Sequence, residues 1–93
     1  SLLYAPKAWI EMDHSSGVAP LTVTFSFAGT GNTGPVGEVK YLWTFGEDEI
    51  DGGPAIQKTF IEPGKYSVKL KVSNHYGDDE VELVSAIDVR GPA

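Results

Sequence analysis

Cysteine is missing from this chain of 93 residues. No disulfide stabilises the fold, and no thiolate can ligate a metal. The absence says little about compartment, since many bacterial and archaeal surface domains also do without disulfides. Basic side chains are scarce: seven Lys and Arg stand against 13 Asp and Glu, for a net charge of −6. Three of the seven, Lys65, Lys69 and Lys71, fall in one alternating run. Binding nucleic-acid phosphates requires a basic patch that outweighs its acidic surroundings, and none is present. Anionic membrane surfaces are disfavoured for the same reason. No apolar run approaches the ~18 residues of a spanning helix, so direct membrane insertion is not expected. Sustained three-to-four periodicity is lacking too, so essentially no helix is expected. The chain opens at Ser1 without an initiator Met or a charged-then-apolar leader, and reads as a piece of a longer protein.

The length suits one domain, able to bury roughly 60–65% of its unfolded surface in one modest core. Period two dominates what is present. In Leu21–Phe27 the face Leu21, Val23, Phe25, Phe27 alternates with Thr22, Thr24, Ser26. Val39, Tyr41, Trp43 and Phe45 share a second face, and Tyr66, Val68, Leu70 and Val72 a third. Val81, Leu83, Ser85, Ile87 and Val89 form a fourth. Alternation with β-branched and aromatic residues marks half-buried strands. Ala8 to Met12 and Ala55 to Phe60 read as shorter strands. The stretches HSSGVAP, GTGNTGPVG, GEDEIDGGP, EPG and NHYGDD read as turns, because Gly and Pro interrupt strands. The whole reads as all-β: an immunoglobulin-like sandwich of two sheets and about seven strands. Residues 1–5 and 91–93 read as linker, and residues 6–90 as the domain. Phe25, Trp43, Phe45, Tyr66 and Leu70 are the structural core candidates.

Several motifs tempt a chemical reading. Gly29 to Gly34 spell G-x-G-x-x-G after a strand, but Pro35, Val36, Gly37 and another strand come next, where the dinucleotide motif needs a helix N-terminus. A loop between strands is the better reading. Glu47, Glu49, Asp51 and Gly52 imitate positions 1, 3, 5 and 6 of a calcium loop. Lys58 then stands where the bidentate Glu is required, so this is no EF-hand. Asp48, Glu49 and Asp51 stay as weak candidates for loosely bound calcium, and no other cofactor is indicated. Clustered carboxylates are more often simply solvated, and GEDEIDGG reads as a long wet turn. His14 and His75 fall in separate turns without a zinc spacing, and HSSG, His14 to Gly17, lacks the strained elbow of a nucleophile. Acidic residues this numerous place some pair at glycosidase spacing in any fold, so composition says nothing about catalysis. Trp9 alternates out of phase with Ala8, Ile10 and Met12 and is expected to face outward. With Tyr76 it is the candidate ligand surface, for a sugar or a partner.

Three ordered motifs resemble the PKD (polycystic kidney disease) domain family. Gly17, Ala19, Pro20, Leu21, Val23 and Phe25 match its first strand, and Trp43, Phe45 and Gly46 its Trp-x-Phe-Gly segment. Pro63, Gly64, Tyr66, Val68, Leu70, Val72, Asn74 and Gly77 match its Pro-Gly-x-Tyr signature. The resemblance spans about residues 6 to 90. Where the family usually has Trp-Asp-Phe-Gly-Asp-Gly, this chain has Thr44, Glu47 and Asp48; where it has His-x-Tyr, this chain has Lys58-Thr59-Phe60. Roles tied to that Asp and His do not carry over, and Thr44 and Lys58 imply a differently tied turn. The resemblance implies a buried Trp43 between the sheets and a tyrosine-corner role for Tyr66. It also implies a non-catalytic, extracellular or cell-surface module, a spacer and protein-contact or adhesion domain, monomeric in isolation. Its partners would be neighbouring domains or other surface proteins. The alternative is an accessory module that holds a polysaccharide or collagen-like polymer for a secreted hydrolase.

Overall fold

The structure, a computed structural model, describes residues 4–92. They form eight strands: β1 (Ile10–Met12), β2 (Ser16–Val18), β3 (Leu21–Phe27), β4 (Lys40–Phe45), β5 (Asp48–Gly52), β6 (Ala55–Phe60), β7 (Gly64–Asn74) and β8 (Gly77–Arg90). No helix occurs among the described residues. One sheet has the order β1-β3-β6 and the other β2-β8-β7-β4-β5. Neighbours are antiparallel except β2 and β8, which run parallel. The all-β, immunoglobulin-like two-sheet sandwich is therefore observed, with one strand beyond the seven that alternation suggests.

The period-two faces become the two inner faces. Val23 and Phe25 from β3 meet Trp43 from β4, Val68, Leu70 and Val72 from β7 and Ile87 from β8, all fully buried. Aromatic packing binds the layers: Phe25 lies 5.1 Å from Phe45 and 6.3 Å from Trp43 between ring centroids. Such pairs add about 0.5–1.5 kcal/mol each beyond their buried area. The Trp43 indole N–H donates to the Gly53 carbonyl at 2.9 Å. That bond ties the strand to the segment where the chain crosses from one sheet to the other. Tyr66 is only partly buried; its ring packs 4.6 Å from Phe60 and its hydroxyl donates to the Glu62 carbonyl, fixing the turn before β7.

Four local expectations change. GEDEIDGG is a turn only at Gly46-Glu47; Asp48 to Gly52 pair with β4 as a strand. Gly46 has φ +63, and a glycine-first, two-residue turn is the kind that suits strand twist. Because β5 is an edge strand, Ile50 is the single apolar side chain that it turns inward, so alternation is faint there. Within HSSGVAP, three residues pair with Asp88 to Arg90, a partner far along the chain that no local pattern announces. Ser85 is exposed with φ +51 and does not share the inner face with Leu83 and Ile87. The β7–β8 register passes from Tyr66–Ile87 to Val68–Leu83, so β8 carries two extra residues in a bulge. An insertion of two preserves the in–out phase, which keeps Ile87 and Val89 buried. Finally, β1 spans three residues rather than five; ahead of it Lys7 and Thr30 make an isolated bridge.

Candidate functional site

Trp9 is about half exposed, while Ala8 and Ile10 on either side are buried. The Trp9 carbonyl accepts from the Ala28 amide at 2.9 Å, which continues the β1–β3 pairing and turns the indole to the outer face beside Glu11. That face is otherwise built from Thr22, Thr24 and Ser26 of β3 against Thr59, Gln57 and Ala55 of β6. Thr22 and Thr59 hydroxyls bond at 2.8 Å, and Gln57 Nε2 donates to Thr24 Oγ1 at 3.3 Å. The result is a flat hydroxyl and amide surface with an indole at one margin.

Tyr76 lies in the β7–β8 turn and is partly buried. Its ring packs on Tyr4 at 5.3 Å, and its hydroxyl donates to the Pro35 carbonyl at 3.2 Å. Tyr76 is thus engaged within the fold, whereas Trp9 is the more open of the two.

The acidic residues do not converge. Asp48 opposes Phe45, while Glu49 and Asp51 oppose Thr44 and Leu42, so they project from opposite faces of β5. Asp48 takes Lys58 at 3.7 Å, and the Lys58 ammonium also sits 5.5 Å from the Phe45 ring. This is the differently tied turn: a cation on β6 reaches a carboxylate on β5, bridging the two sheets. Among the described residues no group of three or more His, Asp or Glu side chains could hold a metal. His14 lies exposed, 3.8 Å from Asp13, and His75 stands edge-on to Tyr76. No polar or charged residue is buried among those described.

One concavity, of about 460 Å³, opens where β5 and β6 diverge. Phe45, Phe60, Tyr66 and the exposed Ile61 supply its apolar lining, and Asp48, Lys58, Glu62 and Lys65 its charges. Sequence alternation missed this groove, because its lining comes from strand ends and a turn rather than from one strand face.

A family model for the PKD domain matches residues 7–85. The chain belongs to the PKD domain family. A solved relative, the crystal structure of the PKD1 domain from Vibrio cholerae metalloprotease PrtV, is 27% identical with a TM-score of 0.68. The match covers 90% of this chain and 98% of that one. Among curated proteins, none matches the chain. PKD domains are non-catalytic modules, typically of larger extracellular or secreted proteins. In this PKD domain the Trp-x-Phe-Gly segment supplies the buried indole and the β4–β5 turn, and the Pro-Gly-x-Tyr segment opens β7.

Proposed function

We propose that this PKD domain is a spacer and protein-contact module of a secreted or cell-surface protein. The supporting observation is the distance between the two ends of the described chain. Tyr4 lies beside the β7–β8 turn, bonded to Asn74, and Arg90 ends β8 at the far end of that strand. β8 runs alongside the 11 residues of β7, which at ~3.3 Å per residue span about 36 Å, since the two bulge residues add chain but no length. The body is correspondingly long, 52 × 22 × 18 Å. Such a shape holds the domains on either side of it apart. Its neighbours along the chain, or other surface proteins, are the partners proposed. Exchanging the domain in its parent protein for an unrelated sandwich of equal pole-to-pole length should preserve the parent's function. A loss of function despite normal folding and secretion would overturn the spacer role and leave contact with a partner as the role of the domain.

The exposure of Trp9 beside a hydroxyl-rich face, with Glu11 next to it, favours a second reading: an accessory module that holds an insoluble polymer, polysaccharide or collagen-like. Retention on chitin, cellulose or collagen fibres, lost in Trp9→Ala, would select it. Absence of retention on each would remove it.

A further inference from the structure

Residues 4–9, ahead of β1, are held far more closely than a flexible lead-in requires. Asn74 is the hub. Its side-chain Nδ2 donates to the Tyr4 carbonyl at 2.7 Å and to the Gly31 carbonyl at 2.8 Å. Its Oδ1 accepts from the Tyr76 amide at 2.8 Å. One amide group thereby uses both donors and its acceptor to join three segments: the entering chain, the loop after β3 and the β7–β8 turn.

Neighbouring bonds continue the attachment. Lys7 and Thr30 exchange backbone bonds of 2.9 and 3.0 Å, and the Ala8 amide donates to Asp79 Oδ2 at 2.7 Å. The glycines of the G-x-G-x-x-G stretch make this approach sterically possible. A Cβ on Gly29 would stand 1.7 Å from the Lys7 carbonyl oxygen, and one on Gly31 2.5 Å from Pro6 Cα. The motif that fails as a phosphate loop is thus the bed on which the entering chain lies. At the other pole β8 runs to Arg90 in register with Val18, and the Ala19 amide donates to the Arg90 carbonyl at 2.8 Å.

We propose that Asn74 is a positioning residue that fixes the direction of chain entry, making the domain a stiff strut rather than a bead on a swivel. The inference rests on the spacer reading for its purpose but not for its test, which is made on this chain alone. Asn74→Asp keeps an oxygen for the Tyr76 amide and replaces the two donors by an oxygen facing two carbonyls. Asn74→Ala removes all three bonds. Hydrogen exchange is followed at the Lys7 and Ala8 amides, with Leu70 and Val72 as references in the sandwich. In both variants Lys7 and Ala8 should exchange at least tenfold faster than in the wild type, through a local opening whose rate does not change as urea is added below the unfolding transition, while exchange at Leu70 and Val72 stays urea-dependent. A smaller rise at Lys7 and Ala8 overturns the proposal, because the entry is then held without Asn74. Exchange at Lys7 and Ala8 that takes on the urea dependence of Leu70 and Val72 also overturns it, because Asn74 would then support the whole sandwich and not the entry in particular. If domain exchange in the parent fails while this result holds, the spacer reading falls and the entry clamp stands.

Discussion

Trp43 illustrates how one residue serves packing and topology together. Its indole fills the space between the sheets, and its N–H holds the Gly53 carbonyl at the sheet-to-sheet crossing. Trp43→Ala should cost about 3–5 kcal/mol through lost transfer energy and a residual cavity. That is a large fraction of a small domain's stability. Trp43→Phe keeps most of the apolar volume and loses the bond, so it should cost less, about 1 kcal/mol for the bond plus a small volume term. Urea unfolding followed by far-UV circular dichroism measures both. Equal losses for the two variants would mean that the crossing bond, not the packing, sets the stability.

At the scale of strands, the edges and the bulge are where local sequence departs from regular alternation. Sheet edges are prone to pair with other chains, and natural edges carry charges or bulges that discourage this. Here β5 presents Asp48, Glu49 and Asp51, and β6 turns Lys58 toward the seam between the sheets. The β8 bulge leaves Val84 mostly exposed, and the Ser85 amide is held by Ser67 Oγ at 2.8 Å. Ser85 adopts a left-handed backbone that costs an L-residue about 1–2 kcal/mol and costs glycine almost nothing. Ser85→Gly should therefore be neutral or stabilising by up to about 1 kcal/mol, offset by the freedom that glycine adds to the unfolded chain. Ser85→Val should destabilise by about 1 kcal/mol more than serine does, because a β-branched side chain is worse still in that region. Melting temperatures of the pair check the sign: a more stable valine variant would mean that the bulge relaxes to ordinary pairing.

For the whole molecule, the net charge of −6 is spread over surfaces rather than gathered into a site. Lys69 pairs with Glu80 at 3.6 Å across β7 and β8, and exposed pairs of this kind contribute at most ~1 kcal/mol. The candidate calcium ligands split between two faces of β5, and one of them already faces Lys58. Melting curves in chelator and in millimolar calcium are expected to coincide, since a ligand that binds only the folded state would raise the midpoint. A reproducible rise with calcium would show that these carboxylates rearrange to hold the ion.

Along the regular strands, alternation alone told which side chains turn inward; at the β8 bulge it did not, and Ser85 faces out. A strand's period of two forces alternate residues onto one face, so Val23, Phe25, Trp43, Leu70 and Val72 could be named without coordinates. The Pro-Gly and Trp-x-Phe-Gly stretches, with their order, carried the family. Trp9 was legible as outward because it falls out of phase with two buried neighbours, one on each side. The remainder depends on partners distant along the chain. The parallel pairing of β2, the inward reach of Lys58 and the engagement of Tyr76 with Tyr4 are examples. So is the use of Gly29 and Gly31 as a bed for the entering chain. Local pattern reports the face that a residue takes where pairing is regular; it cannot report a bulge such as that at Ser85, or what another segment, many residues away, brings up against it.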